Sequence, residues 1–180
     1  GGGISSRNSE VIHSGMYYPP DSLKASLCVE GNRILYTIAK KNHIPHRKTG
    51  KLIVAVSSEE DDDIERLYSN GRANGVTALE LITGKQVADM EPNAAARAAL
   101  YSSDTGIISV HDLMNYFLAC AQNKKAQIVC NTNVTGMEKE AGHYRIYSQN
   151  TQGESFEFSS AVVINAAGLE SDTISNMTGD

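Results

Sequence analysis

The polar stretch from Ser5 to Pro20, SSRNSEVIHSGMYYPP, holds the side chains best suited to chemistry in this chain. It combines hydroxyl groups, an amide, a guanidinium, an imidazole and two phenols, with only a thin apolar thread. Such a stretch is too polar for a core element, and it offers more specific donors than an idle tail needs. The alternative is a loop that caps its own helix with Ser and Asn side chains.

A second candidate segment lies near the end of the chain. Residues 161–164 form a continuous apolar run, which predicts a parallel strand covered on both faces. The run leads directly into Asn165-Ala166-Ala167-Gly168, and Ser171-Asp172 then predict a new helix. Small residues between a buried strand and a helix are typical of a ligand-binding turn.

Composition narrows the class of protein. The net charge of −5 and the scattered basic residues argue against a nucleic-acid partner. No apolar run approaches the roughly 20 residues that cross a bilayer, so we expect membrane contact to be peripheral at most. Three cysteines without C-x-x-C spacing predict reduced, mostly buried thiols and an intracellular protein.

Metal binding is not predicted. The histidines outside the first stretch share no ligand spacing, and the acidic run 59–63 is typical of a solvated first helical turn.

The elements that must position these segments alternate between helices and strands. Capping residues predict helices beginning after Asp21 or Ser22, after Ser57 and after Ser109. His43-Ile44-Pro45 and Asn74-Gly75 predict the ends of the first two helices, and Asp104-Thr105-Gly106 predicts a turn. The apolar face of the first helix is expected to consist of Leu23, Leu27, Ile34, Leu35 and Ile38. The third helix is expected to contribute these residues to the core: Val110, Leu113, Met114, Phe117, Leu118 and Ala121. The strands are expected at 51–56, 79–82, 127–134, 143–148, 155–158 and 161–164.

Five segments occur in the order that one group of enzymes shows. They are residues 5–32, TGKLIVA at 49–55, Glu91-Pro92, TGI at 105–107 and NAAGLESD at 165–172. Together they resemble the L-2-hydroxyglutarate dehydrogenase or oxidase group of the D-amino-acid-oxidase-like superfamily of FAD flavoproteins. The resemblance covers nearly the whole chain. Its first segment is specific, whereas NAAG is a signal of the superfamily.

The resemblance implies an α/β to α+β fold, with part of an FAD/NAD(P)-binding (Rossmann-like) domain and a mixed-sheet substrate domain. Residues 1–48 are expected to form a flavin-facing loop and helix, 49–104 the substrate (cap) domain, and 105–180 the return to the FAD domain. Members of the group begin with a strand and a G-x-G-x-x-G turn, but Ser6 stands where the third glycine is needed. We therefore expect a piece without the fingerprint and the C-terminal part, which alone binds FAD weakly or not at all and has no turnover.

The resemblance also implies the cofactor contacts. Arg7 is expected to pair with phosphate oxygens, Asn8 and Ser9 to hydrogen-bond the flavin or its ribityl chain, and the backbone at Val134 to face adenine. We expect the first and last segments to converge on one FAD molecule. The expected FAD-binding residues are Ser6, Arg7, Asn8, Ser9, Val134, Ala166, Ala167 and Gly168.

His13 is the expected catalytic residue, as the base that takes the hydroxyl proton while C2 of a 2-hydroxy acid loses a hydride to flavin. The alternative is that His13 only fixes the loop by hydrogen bonding. Tyr18, beside Tyr17, and Lys51 are expected to bind substrate carboxylates. Equally, the tyrosines can be packing anchors and Lys51 a solvated strand end.

The function implied is oxidation of L-2-hydroxyglutarate to 2-oxoglutarate, with electrons passing to oxygen, a quinone or another carrier. The alternatives are a glycerol-3-phosphate dehydrogenase, an amino-acid oxidase, or a non-catalytic α+β binding module. The expected location is the cytoplasm in a prokaryote or the mitochondrion in a eukaryote.

Overall fold

The structure, a computed structural model, describes residues 3–178. These residues fall into two compact units, the first running to Cys120 and the second beginning at Ala121. The strands of the first unit are β1 (Val11–Ile12), β2 (His46–Arg47), β3 (Lys51–Ala55), β4 (Leu79–Thr83), β5 (Ala98–Ser102) and β6 (Gly106–Ile108). Its helices are α1 (Leu23–Lys41), α2 (Asp61–Ala73), α3 (Gly84–Met90) and α4 (Val110–Asn123), of which α4 runs across the boundary. The second unit adds β7 (Thr132–Glu140), β8 (His143–Asn150), β9 (Ser155–Ser160) and α5 (Ser171–Asn176).

Two small antiparallel sheets organise the first unit. One has the order β1-β6-β2, with Val11 opposite Ile107 and His46 opposite Ile108. The other has the order β3-β5-β4, with Lys51 opposite Ser102. The predicted mixture of helices and sheets is confirmed.

The apolar interior of the first unit is divided among three clusters of buried residues. Met16 lies in the cluster between α2 and the second sheet, and Ile12 lies in the cluster between α1, α4 and the first sheet. The third cluster is formed by Ile82, Val87 and Ala99. Because Ile12 and Met16 are 2% and 1% exposed, the chain between them is held at both ends by buried side chains.

Helix α1 begins and ends as predicted, and two of its predicted apolar positions, Leu35 and Ile38, pack on the Ile12 cluster, but the other three are exposed. The Ser22 hydroxyl caps it by accepting from the Ala25 amide at 3.2 Å. The large apolar residues Leu23, Leu27 and Ile34 are 73%, 56% and 46% exposed. The residues turned inward are mostly small or polar, namely Ala25, Asn32 and Ala39. Close approach of the Gly15 backbone to this face leaves little room for larger side chains, because a Cβ at Gly15 would lie 2.7 Å from Val29 Cγ2.

Helix α2 follows its predicted signals. Ser57 and Glu60 form the expected capping box, and the acidic run occupies the start of the helix. The helix ends at Ala73 with Asn74 as its C-cap, and Gly75 adopts φ +85°. This left-handed backbone favours glycine, so the Asn74-Gly75 stop is confirmed.

The second unit contains an antiparallel sheet in the order β7-β8-β9, with a register shift between Val134 and Gly136. The strand predicted at 161–164 is wrong, and the strand predicted at 127–134 is confirmed only from Thr132, where β7 begins. Residues 126–131 and 161–164 are not assigned as strands, and Val129, Val162 and Ile164 are 72%, 70% and 86% exposed. A parallel strand needs neighbours for its amides and carbonyls, and no described strand pairs with either run.

Two core predictions in and after α4 also need correction. Val110, Leu113 and Tyr116 pack on the Ile12 cluster, but Phe117 and Leu118 are 49% and 40% exposed. The cysteines are free, as expected, yet Cys120 and Cys130 are exposed and only Cys28 is half-buried. The apolar stripe of α4 therefore exceeds the surface that the first unit covers.

The tight packing of β6 gives a test of the fold. Replacing Gly106 with Ala should destabilise the protein by about 1–3 kcal/mol, because the new Cβ would collide with the Arg47 carbonyl and the Tyr36 hydroxyl. Replacing Gly31 with Ala should stabilise it by about 0.5–1 kcal/mol, because that position is helical and has open space around it. Urea unfolding measures both, and equal midpoints for the two variants would contradict the packing of β6.

Candidate active site

The loop from His13 to Tyr18 joins the two larger cores of the first unit. It leaves β1 after Ile12 and returns to the interior at Met16. Between these anchors, Gly15 adopts φ +100° and is buried. Ser14 is also buried, and its hydroxyl has no hydrogen-bond partner among the described residues.

Three asparagine side chains, which we call the asparagine clamp (Asn32, Asn70 and Asn74), hold the carbonyl groups of this loop. Asn32 Nδ2 donates to the carbonyls of His13 and Asp104, both at 3.0 Å. Asn70 and Asn74, on α2 and at its C-cap, donate to the carbonyls of Gly15, Met16 and Tyr18 at 2.7–2.9 Å. The clamp therefore ties the loop to both α1 and α2.

His13 lies beside a cationic residue. Partial burial, and then the positive charge of Lys51, hold the pKa of His13 below its ordinary value. The lowered pKa favours the neutral imidazole, whose unprotonated nitrogen can accept a proton. Lys51 Nζ in turn lies 4.7 Å from the centroid of the Tyr17 ring. The structure thus brings His13, Tyr17 and Lys51 into one neighbourhood.

Tyr18 contacts a different cation. Lys24 Nζ lies 4.6 Å from the centroid of its ring. Burial raises the pKa of the nearby Cys28 thiol, which the charge of Lys24 partly opposes, and the thiol lies 3.8 Å from the His13 carbonyl oxygen. This cysteine is therefore a neutral contact of the loop rather than a nucleophile.

The segment before β1 lines a separate cleft of about 750 Å³ against the first turns of α4. Ser6, Asn8 and Ser9 all line it. Ser6 and Asn8 also bond to the segment's own backbone, donating to the carbonyls of Gly3 and Ser5 at 2.9 and 2.7 Å. The side chains of Arg7 and Ser9 make no hydrogen bond or ion pair within residues 3–178. Ser6 and Asn8 are therefore engaged within their own segment without capping a helix, whereas Arg7 and Ser9 are left available to a ligand.

In the second unit, Val134, Ala166 and Ala167 line one cavity of about 340 Å³. Val134 lies beside the register shift of β7, where the hydrogen-bond ladder is interrupted. Asn165 shapes the turn, because its Oδ1 accepts from the Ala167 amide at 3.2 Å and its Nδ2 donates to the Ser171 carbonyl at 2.7 Å.

Gly168 follows this turn and adopts φ +63°. The convergence of this turn with the segment before β1 on one ligand stays a prediction.

No group of three or more His, Cys, Asp or Glu side chains within residues 3–178 could hold a metal ion. No helix in this part of the chain has the length and apolarity to cross a membrane.

Residues 1–180 match the family described as FAD dependent oxidoreductase. The chain belongs to this family. The predicted family is therefore confirmed, and FAD is the cofactor in its description.

The chain is similar to curated L-2-hydroxyglutarate dehydrogenases described as mitochondrial. It is 38% identical to that of Homo sapiens over 96% of this chain and 39% of the relative. It is 35% identical to that of Caenorhabditis briggsae over 97% of this chain and 41% of the relative. The chain therefore spans about two fifths of the length of these relatives.

Solved structures share the fold. An L-α-glycerophosphate oxidase from Mycoplasma pneumoniae with FAD bound has a TM-score of 0.83 and 27% identity, over 95% of this chain and 46% of that chain. A glycine oxidase from Geobacillus kaustophilus has a TM-score of 0.83 and 21% identity, over 98% of this chain and 48% of that chain. The predicted fold class is confirmed by these likenesses.

The asparagine clamp is the part of the site that sequence reasoning missed. Asn74 was expected only to end α2, and Asn32 was not among the candidate residues. Asn70 carried no expectation. The available signals were an amide on the small-residue stripe of α1 and two asparagines four positions apart on α2.

The contact between Lys51 and His13 predicts a measurable shift. Replacing Lys51 with Gln should raise the pKa of His13, because loss of a nearby positive charge makes the protonated imidazole less unfavourable. An NMR titration of the His13 ring measures this. Lys48→Gln is the matched control, because Lys48 pairs with Asp104 at 2.6 Å. An unchanged His13 pKa in Lys51→Gln would show that the two groups are not coupled.

Proposed function

We propose that this chain is part of an enzyme that oxidises L-2-hydroxyglutarate to 2-oxoglutarate with FAD. The observation that carries the proposal is the proximity of His13 to Lys51, which lies over the Tyr17 ring, in a chain 38% identical to an L-2-hydroxyglutarate dehydrogenase. A base and a cation in one neighbourhood suit a substrate with a hydroxyl group and carboxylates.

The division of the chain into segments is part of this proposal. Residues 1–48 and the start of 105–180 supply the strands of the β1-β6-β2 sheet, whereas every strand of the β3-β5-β4 sheet lies within 49–104. This supports assigning 49–104 to the substrate domain and the flanking segments to the FAD domain.

The donor set of the chain fits FAD. Arg7 is suited to phosphate oxygens, and Ser9 and the buried Ser14 hydroxyl are unpaired donors within the described residues. The Ala166-Ala167-Gly168 turn presents backbone without bulk. Ser6 and Asn8 are proposed to hold the flavin-facing loop in shape while facing the same cleft. Val134 is proposed to offer backbone to adenine beside the β7 register shift.

The chemistry follows from the groups around the loop. FAD, when bound, supplies the acceptor for the hydride that leaves C2 of the substrate. An imidazole nitrogen of His13 takes the hydroxyl proton, so that the C2–O bond becomes a carbonyl. Lys51 pairs with a substrate carboxylate, and Tyr17 and Tyr18 donate their hydroxyl groups to substrate oxygens. The electrons are then proposed to pass to oxygen or a quinone. The protein is proposed to be intracellular.

Replacing His13 with Gln in the complete enzyme tests the base. We expect anaerobic flavin reduction by L-2-hydroxyglutarate to slow by about 10²–10⁴-fold, because a positioned base contributes that much. His43→Gln is the control, because His43 is exposed beyond the end of α1. A normal reduction rate in His13→Gln would limit His13 to fixing the loop.

A panel of substrates tests the reaction. The likeness to a glycerophosphate oxidase at 27% identity makes a phosphate ester the second candidate. Flavin reduction should be faster with a 2-hydroxy dicarboxylate than with glycerol 3-phosphate or an amino acid. Preference for either of the other two substrates would reassign the enzyme.

The turn at Gly168 predicts a cofactor defect. Replacing Gly168 with Val in the complete protein should release FAD, because a branched side chain is strained at φ +63° and fills the proposed approach to the phosphate and ribose. The FAD content of the purified protein, read from its visible spectrum, measures this. Gly153→Val is matched, since Gly153 has φ +87° in the turn between β8 and β9. Retained FAD in Gly168→Val would refute the assignment.

A further inference from the structure

Two asparagines associated with α2 reach the same side of the His13 loop. Asn70 Nδ2 donates to the carbonyls of Met16 and Tyr18 at 2.7 and 2.8 Å. Asn74 Nδ2 donates to the carbonyls of Gly15 and Tyr18 at 2.9 and 2.8 Å. Their spacing of four residues places both amides on one face of the helix. Four hydrogen bonds therefore fix the second half of the loop.

Asn74 is not needed to close the helix with its side chain. The backbone amides of Asn74 and Gly75 bond to the carbonyls of Asn70 and Arg72, both at 3.0 Å. Asn42, the C-cap of α1, shows the other arrangement, because its Nδ2 donates to Ile38 of its own helix at 2.8 Å. The Asn74 amide is instead directed entirely at the loop.

The Asn74 side chain carries polar atoms that a purely space-filling residue would not need. Its Oδ1 is buried and has no hydrogen-bond partner among the described residues. An aliphatic side chain would avoid that buried oxygen, but it would leave the Gly15 and Tyr18 carbonyls with fewer donors. The side chain is therefore suited to directing the loop rather than to filling space.

We propose that Asn74, supported by Asn70, is a positioning residue that sets the orientation of the loop carrying His13, Tyr17 and Tyr18. Asn74 acts through the loop backbone and does not itself contact the substrate. Its effect on catalysis rests on the proposed function, whereas its effect on the loop does not.

The test uses the complete enzyme that contains this chain, with Asn70→Ala, Asn74→Ala and Asn74→Asp. Asn74→Asp keeps the size of the side chain and replaces its donor with an oxygen facing two carbonyls, so it separates the loss of the donor from the loss of packing. Asn42→Ala is the matched control, since it removes a C-cap amide that does not reach the loop.

Three measurements are made on each variant: hydrogen exchange of the 13–18 segment, the NMR titration of the His13 ring, and kcat and KM for L-2-hydroxyglutarate. In all three clamp variants we expect faster exchange and an altered His13 pKa, with FAD content equal to that of Asn42→Ala. We expect kcat to fall by about tenfold to a hundredfold, because a small misplacement of reacting groups has effects of that size.

The outcomes separate the two proposals. Exchange and a His13 pKa in Asn74→Asp and Asn70→Ala equal to those of Asn42→Ala would overturn the positioning role, even if Asn74→Ala fails to fold. If hydrogen exchange and the His13 titration change but kcat does not, the proposed role of Asn74 in catalysis is overturned. If the unmodified enzyme oxidises no 2-hydroxy acid, the proposed function fails, and the exchange and titration still decide whether Asn74 orients the loop.

Discussion

The arrangement of the first unit depends on the hydrogen bonds that hold the loop from His13 to Tyr18. Ile12 and Met16 are buried in different cores, so the residues between them must cross from one to the other. Their backbone carbonyls face inward, where an unpaired polar group is costly. Side-chain amides from α1 and α2 meet that need, which makes the orientation of the loop a property of both helices.

This fastening explains the unusual packing of α1. A helix that approaches a backbone closely favours small residues on the facing side, and Ala25 and Asn32 lie beside the loop. Leu23, Leu27 and Ile34 are exposed, whereas Leu35 and Ile38 pack on the Ile12 cluster. The loop that results keeps His13 at the edge of the packed interior, where partial burial and Lys51 favour its neutral form.

In the second unit, an asparagine side chain likewise hydrogen-bonds the backbone of a turn. Both polar atoms of the Asn165 side chain hydrogen-bond backbone groups around the Ala166-Ala167-Gly168 segment. The segment itself carries only small side chains. In both units, an asparagine organises backbone beside glycine in a left-handed conformation. Loops held on a rigid scaffold commonly carry binding groups, and the chain belongs to a family described as FAD dependent.

The sequence by itself determined four of the described helices (α1, α2, α4 and α5), strands β3, β4, β8 and β9 with part of β7, the family and the groups suited to chemistry, because these depend on local pattern or on matching motifs. It did not predict α3 or the strands β1, β2, β5 and β6. Ser22, the Ser57–Glu60 capping box and Asn74-Gly75 act over a few residues and were predictable. The exposed runs at 126–131 and 161–164 were not, because strand pairing depends on neighbours. Only the tertiary structure decided which face of α1 is buried, that Lys51 lies near His13, and that Asn32, Asn70 and Asn74 hold one loop. The contacts of the three asparagines with the loop join residues 19 to 59 positions apart, a distance over which local sequence pattern carries no information.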